Sequence, residues 1–244
     1  MGVEAAKKEP IIIFDQVEKR FFGKLAIVKV SFEIPRGEII GVIGRNGSGK
    51  STVLKLMAGL QRPSAGRVLL NGRAPERLSS REVAFLPEAD VYYPFHTVKK
   101  ALQFYDEIFD DFDRDKALEV VEVFRLDLEQ KASQLSKGQR ARLKLALTLA
   151  RQVPLIVMDE PLSGLDPLVR EEIIRSVIAL IDPQKQTLVM TTHEVDEIES
   201  LLDRVMLINE GRVVGYEEVS QIHGEYNVGL VEWMKKKIVK DLSI

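Results

Sequence analysis

The 244-residue chain has no cysteine. That excludes a disulfide framework and thiolate metal sites, and it fits a reducing compartment. Long apolar runs are also missing: nothing approaches the ~20 consecutive apolar residues of a membrane-spanning helix. Any membrane role is therefore expected to run through a partner chain. Charge of one sign is not in excess either. With 35 Lys and Arg against 37 Asp and Glu, the formal net charge is −2. A duplex-binding protein usually carries a basic surplus, so no nucleic-acid partner is expected. Met1 to Pro10 holds Lys7 and Lys8 but no apolar core, and does not read as a signal peptide. Internal repeats, low-complexity tracts and sustained heptads are absent. What remains is an ordinary globular composition, 45% hydrophobic and 30% charged. At this length roughly three quarters of the unfolded surface can be buried without a staple.

The chain alternates between two characters. Ile11 to Phe14 and Val28 to Ile34 read as strands about a turn near Gly23. Gly37 to Gly44 is short, apolar and β-branched, as a buried parallel strand would be. Helical spacing follows over Ser51 to Leu60, then a strand over Gly66 to Asn71 closed by an Asn71-Gly72 turn. From Thr97 to Arg151 three helical patterns succeed one another: Thr97 to Phe109, Arg114 to Phe124 and Lys137 to Arg151. The α/β pattern resumes with a strand at Leu155 to Met158, a helix at Leu168 to Leu180, and strands at Thr187 to Thr192 and Val205 to Asn209. The spacing predicts an α/β core with a helical lobe inserted in its middle.

The strongest motif is Gly44-Arg45-Asn46-Gly47-Ser48-Gly49-Lys50-Ser51, a match to G-x-x-x-x-G-K-[ST] set between a strand and a helix. Its glycines let the backbone curl until successive N–H groups face phosphates. The helix N-terminus adds its positive end, Lys50 reaches the β- and γ-phosphates, and Ser51 suits Mg²⁺. Thr52, next on the helix, joins the nucleotide-binding set. The second motif is Leu155 to Met158 followed by Asp159 and Glu160. An apolar strand ending in two acids puts carboxylates at the C-terminal edge of a parallel sheet, where α/β ligands bind. Asp159 suits Mg²⁺ coordination and Glu160 suits polarising an attacking water. Together the motifs define a P-loop NTPase. No Asn-Lys-x-Asp segment is present to read guanine.

Further segments narrow the class. Leu135-Ser136-Lys137-Gly138-Gln139 opens the most regular helix, Ser163-Gly164-Leu165-Asp166 follows the two acids, and His193 follows a β-rich strand. In that order they resemble the signature, D-loop and switch histidine of the ATP-binding cassette (ABC) family, over essentially all of the chain up to about Gly215. Phe22 resembles the aromatic residue that stacks on adenine, with Phe21 as the alternative ring. Glu88, in Phe85-Leu86-Pro87-Glu88, stands where the family's Q-loop usually carries Gln, and Lys137 stands where the signature usually carries Gly. A glutamate still offers an oxygen to Mg²⁺ or to water.

The resemblance implies an α/β P-loop NTPase core with an N-terminal antiparallel β subdomain and an inserted α-helical subdomain. Core and β subdomain would span about 1–87 and 152–215, the helical subdomain about 88–151, and a helical tail about 216–244. It implies an ATPase using ATP and Mg²⁺, with Lys50, Glu160 and His193 as catalytic residues, Ser51, Asp159 and Glu88 toward the metal, and Leu135 to Gln139 acting on the nucleotide of a second ABC ATPase subunit. It implies a transmembrane permease partner, a place on the cytoplasmic face of the membrane, and a likeness to the small cassettes of exporters. Two rivals stand beside it, a soluble ABC ATPase acting outside transport and a non-hydrolysing nucleotide-binding module.

Three other features read more plainly. The acid-rich stretch Asp106 to Asp115 lacks EF-hand spacing and is expected to be a solvated connection between helices. Arg140, Arg142 and Lys144 are expected on a solvated helix face. Val228, Val231, Met234, Ile238 and Leu242 share one helical face near Trp233, which predicts a terminal helix docked on its own domain.

Overall fold

The computed structural model describes residues 9–75, 81–192, 195–226 and 228–241, the side chains at 196, 197, 225 and 226 excepted. Two sheets carry the fold. The smaller is antiparallel in the order β2-β1-β4, built from β1 (Pro10–Phe21), β2 (Lys24–Pro35) and β4 (Ala65–Leu70). The larger runs β5-β6-β7-β3-β8-β9, from β3 (Ile39–Ile43), β5 (Val83–Leu86), β6 (Leu155–Met158), β7 (Thr187–Thr192), β8 (Arg204–Asn209) and β9 (Arg212–Glu218). Its neighbours from β5 to β8 pair in parallel, and β9 closes the edge antiparallel to β8.

Strands β3 and β6 are apolar at every position because both faces of the sheet are covered. Along β6, Leu155 and Val157 face α1 (Lys50–Met57) and the small sheet, while Ile156 and Met158 join the opposite core. β3 divides the same way: Ile40 and Val42 point to the first core, Ile43 to the second. Between β5 and β6 the described chain is helical: α2 (Val98–Ile108), α3 (Arg114–Val123) and α4 (Lys137–Leu149). Their apolar faces, with Val120, Phe124, Leu143 and Leu147 buried, pack together and onto the second core. After β6 come α5 (Pro167–Leu180), β7, the short α6 (Val195–Ile198), β8, β9, α7 (Val219–Tyr226) and α8 (Leu230–Asp241). The architecture is the expected P-loop α/β core with an antiparallel sheet and an inserted helical lobe.

The structure departs from the sequence expectations in several places. β5 and β9 are additional strands, and β1 and β2 run well past the stretches marked by apolar residues. Trp233, expected beside the contact face of the tail, is its centre: 1% exposed and packed over Gly215, with its Nε1–H donating to Glu217 at 3.2 Å. The acidic stretch does link α2 to α3, but it is not all solvated. Asp113 caps α3 by accepting from Lys116 N at 2.9 Å, and Asp111 pairs with Arg151, itself 4% exposed. Among the described residues no group of three or more His, Cys, Asp or Glu side chains could hold a metal unaided.

Candidate active site

Because β3, β6 and β7 are parallel neighbours, their C-terminal ends converge, and each delivers one piece of the site. β3 leads through Gly44 to Gly49 into α1, β6 into Asp159 and Glu160, and β7 ends on Thr191 and Thr192. The start of α1 differs from those of α2 to α5. Thr97, Asp113, Ser136 and Asp166 cap α2, α3, α4 and α5 with side-chain oxygens, whereas α1 opens on Gly49 with no side-chain cap. Its first N–H groups are therefore available to an anion. Gly49 has φ +111, and a Cβ there would lie 2.9 Å from the Ala26 carbonyl and 2.8 Å from Ile27 Cδ1. The side-chain oxygen of Ser48 is buried in this loop without a hydrogen-bond partner. Unsatisfied donors of this kind fit a polyphosphate.

Lys50 is 6% exposed. Its ammonium donates to the Gly44 carbonyl at 2.9 Å and the Arg45 carbonyl at 3.3 Å, and stands 3.6 Å from the Glu160 carboxylate. Ser51 Oγ donates to Asp159 Oδ1 at 2.9 Å, so the hydroxyl of one motif meets the carboxylate of the other. Thr191 donates to the same oxygen at 2.9 Å and accepts the backbone N–H of Glu160 at 2.7 Å. Glu160 itself sits at φ +48, a conformation that costs a non-glycine residue about a kcal/mol or more. One hydroxyl and one carboxylate form an all-oxygen set too small for a self-standing site. That is the usual provision for Mg²⁺, whose remaining ligands come from phosphates and water.

A cleft of about 300 Å³ opens beside this cluster, lined by Glu88, Asp90, Lys137, Glu160 and Ser163 among others. Glu88 and Glu160 thus share one space. At the head of α4, Leu135 is buried and Ser136 exposed. Ser136 Oγ accepts from Gln139 N at 3.2 Å while Gln139 Oε1 accepts from Ser136 N at 2.9 Å, a reciprocal capping box. The Ser136 hydroxyl hydrogen remains free to donate outward. Lys137 has helical geometry, and its ammonium rests against Gly164, in the turn that follows the two acids. Leu165 is buried, and Asp166 caps α5 by accepting from Leu168 N at 3.0 Å. Phe22 is fully exposed on the β1–β2 turn, and Phe21 lies under the Lys19 ammonium at 5.0 Å. β7 ends one residue before His193, which lies outside the described residues.

Two residues of the site are not evident from the sequence. Thr191 reads there as strand propensity alone, although its place at the end of β7, just before the histidine, is the available signal. Lys144, expected on a solvated face with Arg140 and Arg142, is instead buried, and that expectation is corrected. Lys144 is 8% exposed and bonded to the Glu88 carbonyl at 2.6 Å, Arg142 pairs with Glu172 at 2.6 Å, and Arg140 lies 3.7 Å from Asp90.

A P-loop on a parallel sheet, with a hydroxyl–carboxylate pair and a second carboxylate at the strand edge, defines a P-loop nucleotide triphosphatase. Comparison with known proteins narrows the class. The family model described as ABC transporter matches residues 27–163. The Nod factor export ATP-binding protein I of Burkholderia orbicola is 36% identical over 214 residues, 83% of this chain and 69% of that protein. A probable sulfate/thiosulfate import ATP-binding protein of Chlorella vulgaris is 31% identical over 210 residues, 83% of this chain and 89% of that one. A solved ATP-binding subunit of an ABC transporter superposes with TM-score 0.80 at 24% identity, over 93% of this chain and 99% of that one. A dimeric bacterial ABC transporter cassette does so with TM-score 0.76 at 25% identity, over 85% and 98%. The chain belongs to the ABC transporter family, as an ATP-binding subunit with ATPase activity.

Proposed function

We propose that this cassette clamps Mg-ATP head to tail with a second cassette and, by closing and reopening, drives a separate transmembrane permease. The observation that carries the reading is the cluster at the C-terminal edge of the sheet. Ser51 and Asp159 meet at 2.9 Å, with Lys50 3.6 Å from Glu160. Ser51 and Asp159 would hold Mg²⁺, which supplies charge neutralisation on the phosphates when bound. Lys50 would exchange its carbonyl contacts for phosphate oxygens. Glu160 would orient and polarise the attacking water, and His193 is assigned to hold that water against the γ-phosphate. Ser136 and the Gly138 N–H, at an exposed helix start, are suited to the phosphate of the partner's nucleotide rather than their own. Phe22, with an exposed ring, is assigned to the adenine face.

The permease reading draws support from a groove of about 930 Å³ between the end of α1 and the helical lobe. Leu60, Phe85, Pro87, Tyr105 and Phe109 line it together with Gln61, Arg62 and Arg151, and a groove of this mixed lining suits a short amphipathic helix. It adjoins Glu88, so a partner seated there would bear on the ATP site. Residues 88–151 are taken as the lobe that grips the partner, on the cytoplasmic face of the membrane. Among the described residues no helix is long and apolar enough to cross a membrane. Transport direction is read as export, in line with the Nod factor export relative at 36% identity; sulfate/thiosulfate import relatives stand at 31% and 34%. In permease-reconstituted vesicles, substrate on the ATPase side would stimulate turnover for export; stimulation only from the opposite side would reverse that assignment.

The decisive experiment is light scattering of Glu160→Gln in Mg-ATP and in Mg-ADP. Without the carboxylate the ATP-bound state should accumulate, giving a dimer in ATP and a monomer in ADP. A variant that binds ATP yet stays monomeric would remove the self-paired sandwich and make a different cassette the required partner.

A further inference from the structure

Lys144 lies mid-way along α4, about a turn and a half beyond the signature segment, where an ammonium group is expensive to bury. Burial pushes its pKa down, while Asp90 and Glu88 act in the opposite sense. Water is replaced by backbone: Nζ lies 2.6 Å from the Glu88 carbonyl, 3.3 Å from that of Pro87 and 3.5 Å from that of Ala89. An ammonium has three hydrogens to donate and no acceptor, so three successive carbonyls are a matched set. One turn earlier, Arg140 donates to the Leu135 carbonyl at 2.8 Å and reaches Asp90 at 3.7 Å. The helix that begins with the signature therefore grips the loop of Glu88 at two points. The main chain of Glu88 is held by Lys144, and its side chain lines the cleft shared with Glu160.

We propose that Lys144 is a positioning residue of the ATPase: through the backbone of Pro87 to Ala89 it fixes where Glu88 stands over the cleft, and it makes the signature helix and the Glu88 loop move as one body. This rests on the reading that Glu88 serves hydrolysis. A residue at this point of α4 can do so only with a long stem and a multi-hydrogen donor at its tip, which methionine lacks and glutamine supplies in part.

The test compares wild type, Lys144→Met, Glu88→Ala and the double variant for kcat and KM in Mg-ATP, with binding of a fluorescent ATP analogue and thermal midpoint measured alongside. Lys144→Met should lower kcat about tenfold, the scale of a lost hydrogen bond to a charged group, with analogue binding held within about twofold. On the Glu88→Ala background the same change should add less than about twofold, because the group it positions is already gone. A merely structural lysine would lower kcat by equal factors in both backgrounds, and that result overturns the proposal, as does wild-type kcat in Lys144→Met. If Glu88→Ala turns over at the wild-type rate, the Glu88 reading fails first, and the positioning role falls with it. Should Lys144→Met not fold, Lys144→Leu, which has no donor at its tip, carries the same comparison, and Lys144→Gln, which supplies the donor in part, should lose less kcat than either.

Discussion

The hydroxyl of Thr191 bridges the two acids that end β6, donating to Asp159 Oδ1 at 2.9 Å and accepting the Glu160 N–H at 2.7 Å. It is wholly buried, so both bonds are shielded from water. Through it β7, the strand that leads to His193, is tied to the carboxylate proposed to polarise the attacking water. Thr191→Val keeps the shape and deletes both bonds. Unfolding in urea should show a loss of about 1–3 kcal/mol, the cost of removing one partner from buried polar groups. Turnover should fall more than ATP affinity, because Lys50 and the loop backbone keep their contacts and Ser51 still bonds Asp159, while Glu160 loses an acceptor that holds its left-handed backbone. Unchanged kcat would mean that Glu160 is oriented without Thr191.

Phe22 has nothing to lose in the folded chain. Its ring is fully exposed, so Phe22→Ala should leave stability within about 0.5 kcal/mol. If the ring stacks on adenine, ATP affinity should drop about two- to tenfold, matching the ~0.5–1.5 kcal/mol of an aromatic pair. Phe21, part-covered by Lys19, is the internal control. An affinity loss in Phe21→Ala with none in Phe22→Ala would transfer the assignment to the neighbouring ring.

Gly164 illustrates a constraint set by a departure in the signature. It adopts φ +64, and the space where a Cβ would stand is taken by the Lys137 ammonium. Gly164→Ala should cost about 1–2 kcal/mol from the left-handed backbone, plus whatever is needed to displace the lysine. Combining it with Lys137→Ala should remove the second part, so the denaturation cycle should be non-additive in the relieving direction. Additive losses would show that the lysine swings away freely.

That the phosphate loop is legible in the sequence and the Lys144 contact is not has a physical reason. A backbone that curls around phosphates needs glycine at fixed spacing and a lysine and hydroxyl directly behind it, so Gly44 to Ser51 states its chemistry locally. β6 is similar: four buried apolar residues followed by Asp159 and Glu160 make an interior strand that presents two acids at the sheet edge. Lys144 depends instead on a loop over fifty residues earlier, and helical spacing says which residues share a face without saying what covers it. β5 is hard to see because Val83 to Leu86 is only four residues long. Thr191 is hidden because a threonine near a strand end satisfies β propensity whether or not its hydroxyl is used. Val228, Val231, Met234 and Ile238 do pack on the core, but the full burial of Trp233 depends on the space left by Gly215 on β9, which helical spacing within the tail does not state. His193 is assigned from its order along the chain, and its side chain lies outside the described residues.

The tail gives the last prediction. The Trp233 ring lies over Gly215, with Cζ2 and Cη2 2.7 Å from the point where a Cβ would stand, and Lys237 and Trp233 both bond to Glu217. α8 is thus fixed to β9 by one large apolar contact and a small charged cluster. Trp233→Ala should cost about 3–5 kcal/mol, since a ring of this size leaves a cavity that the sheet cannot collapse into. Because α8 carries Lys235, Lys236 and Lys237, its release should also show as faster tryptic cleavage there under native conditions. Gly215→Val attacks the same contact from the strand and should produce the same cleavage. A stable, protease-resistant Trp233→Ala would mean that the remaining contacts of α7 and α8, including the His223–Glu199 pair at 3.0 Å, hold the tail without the ring.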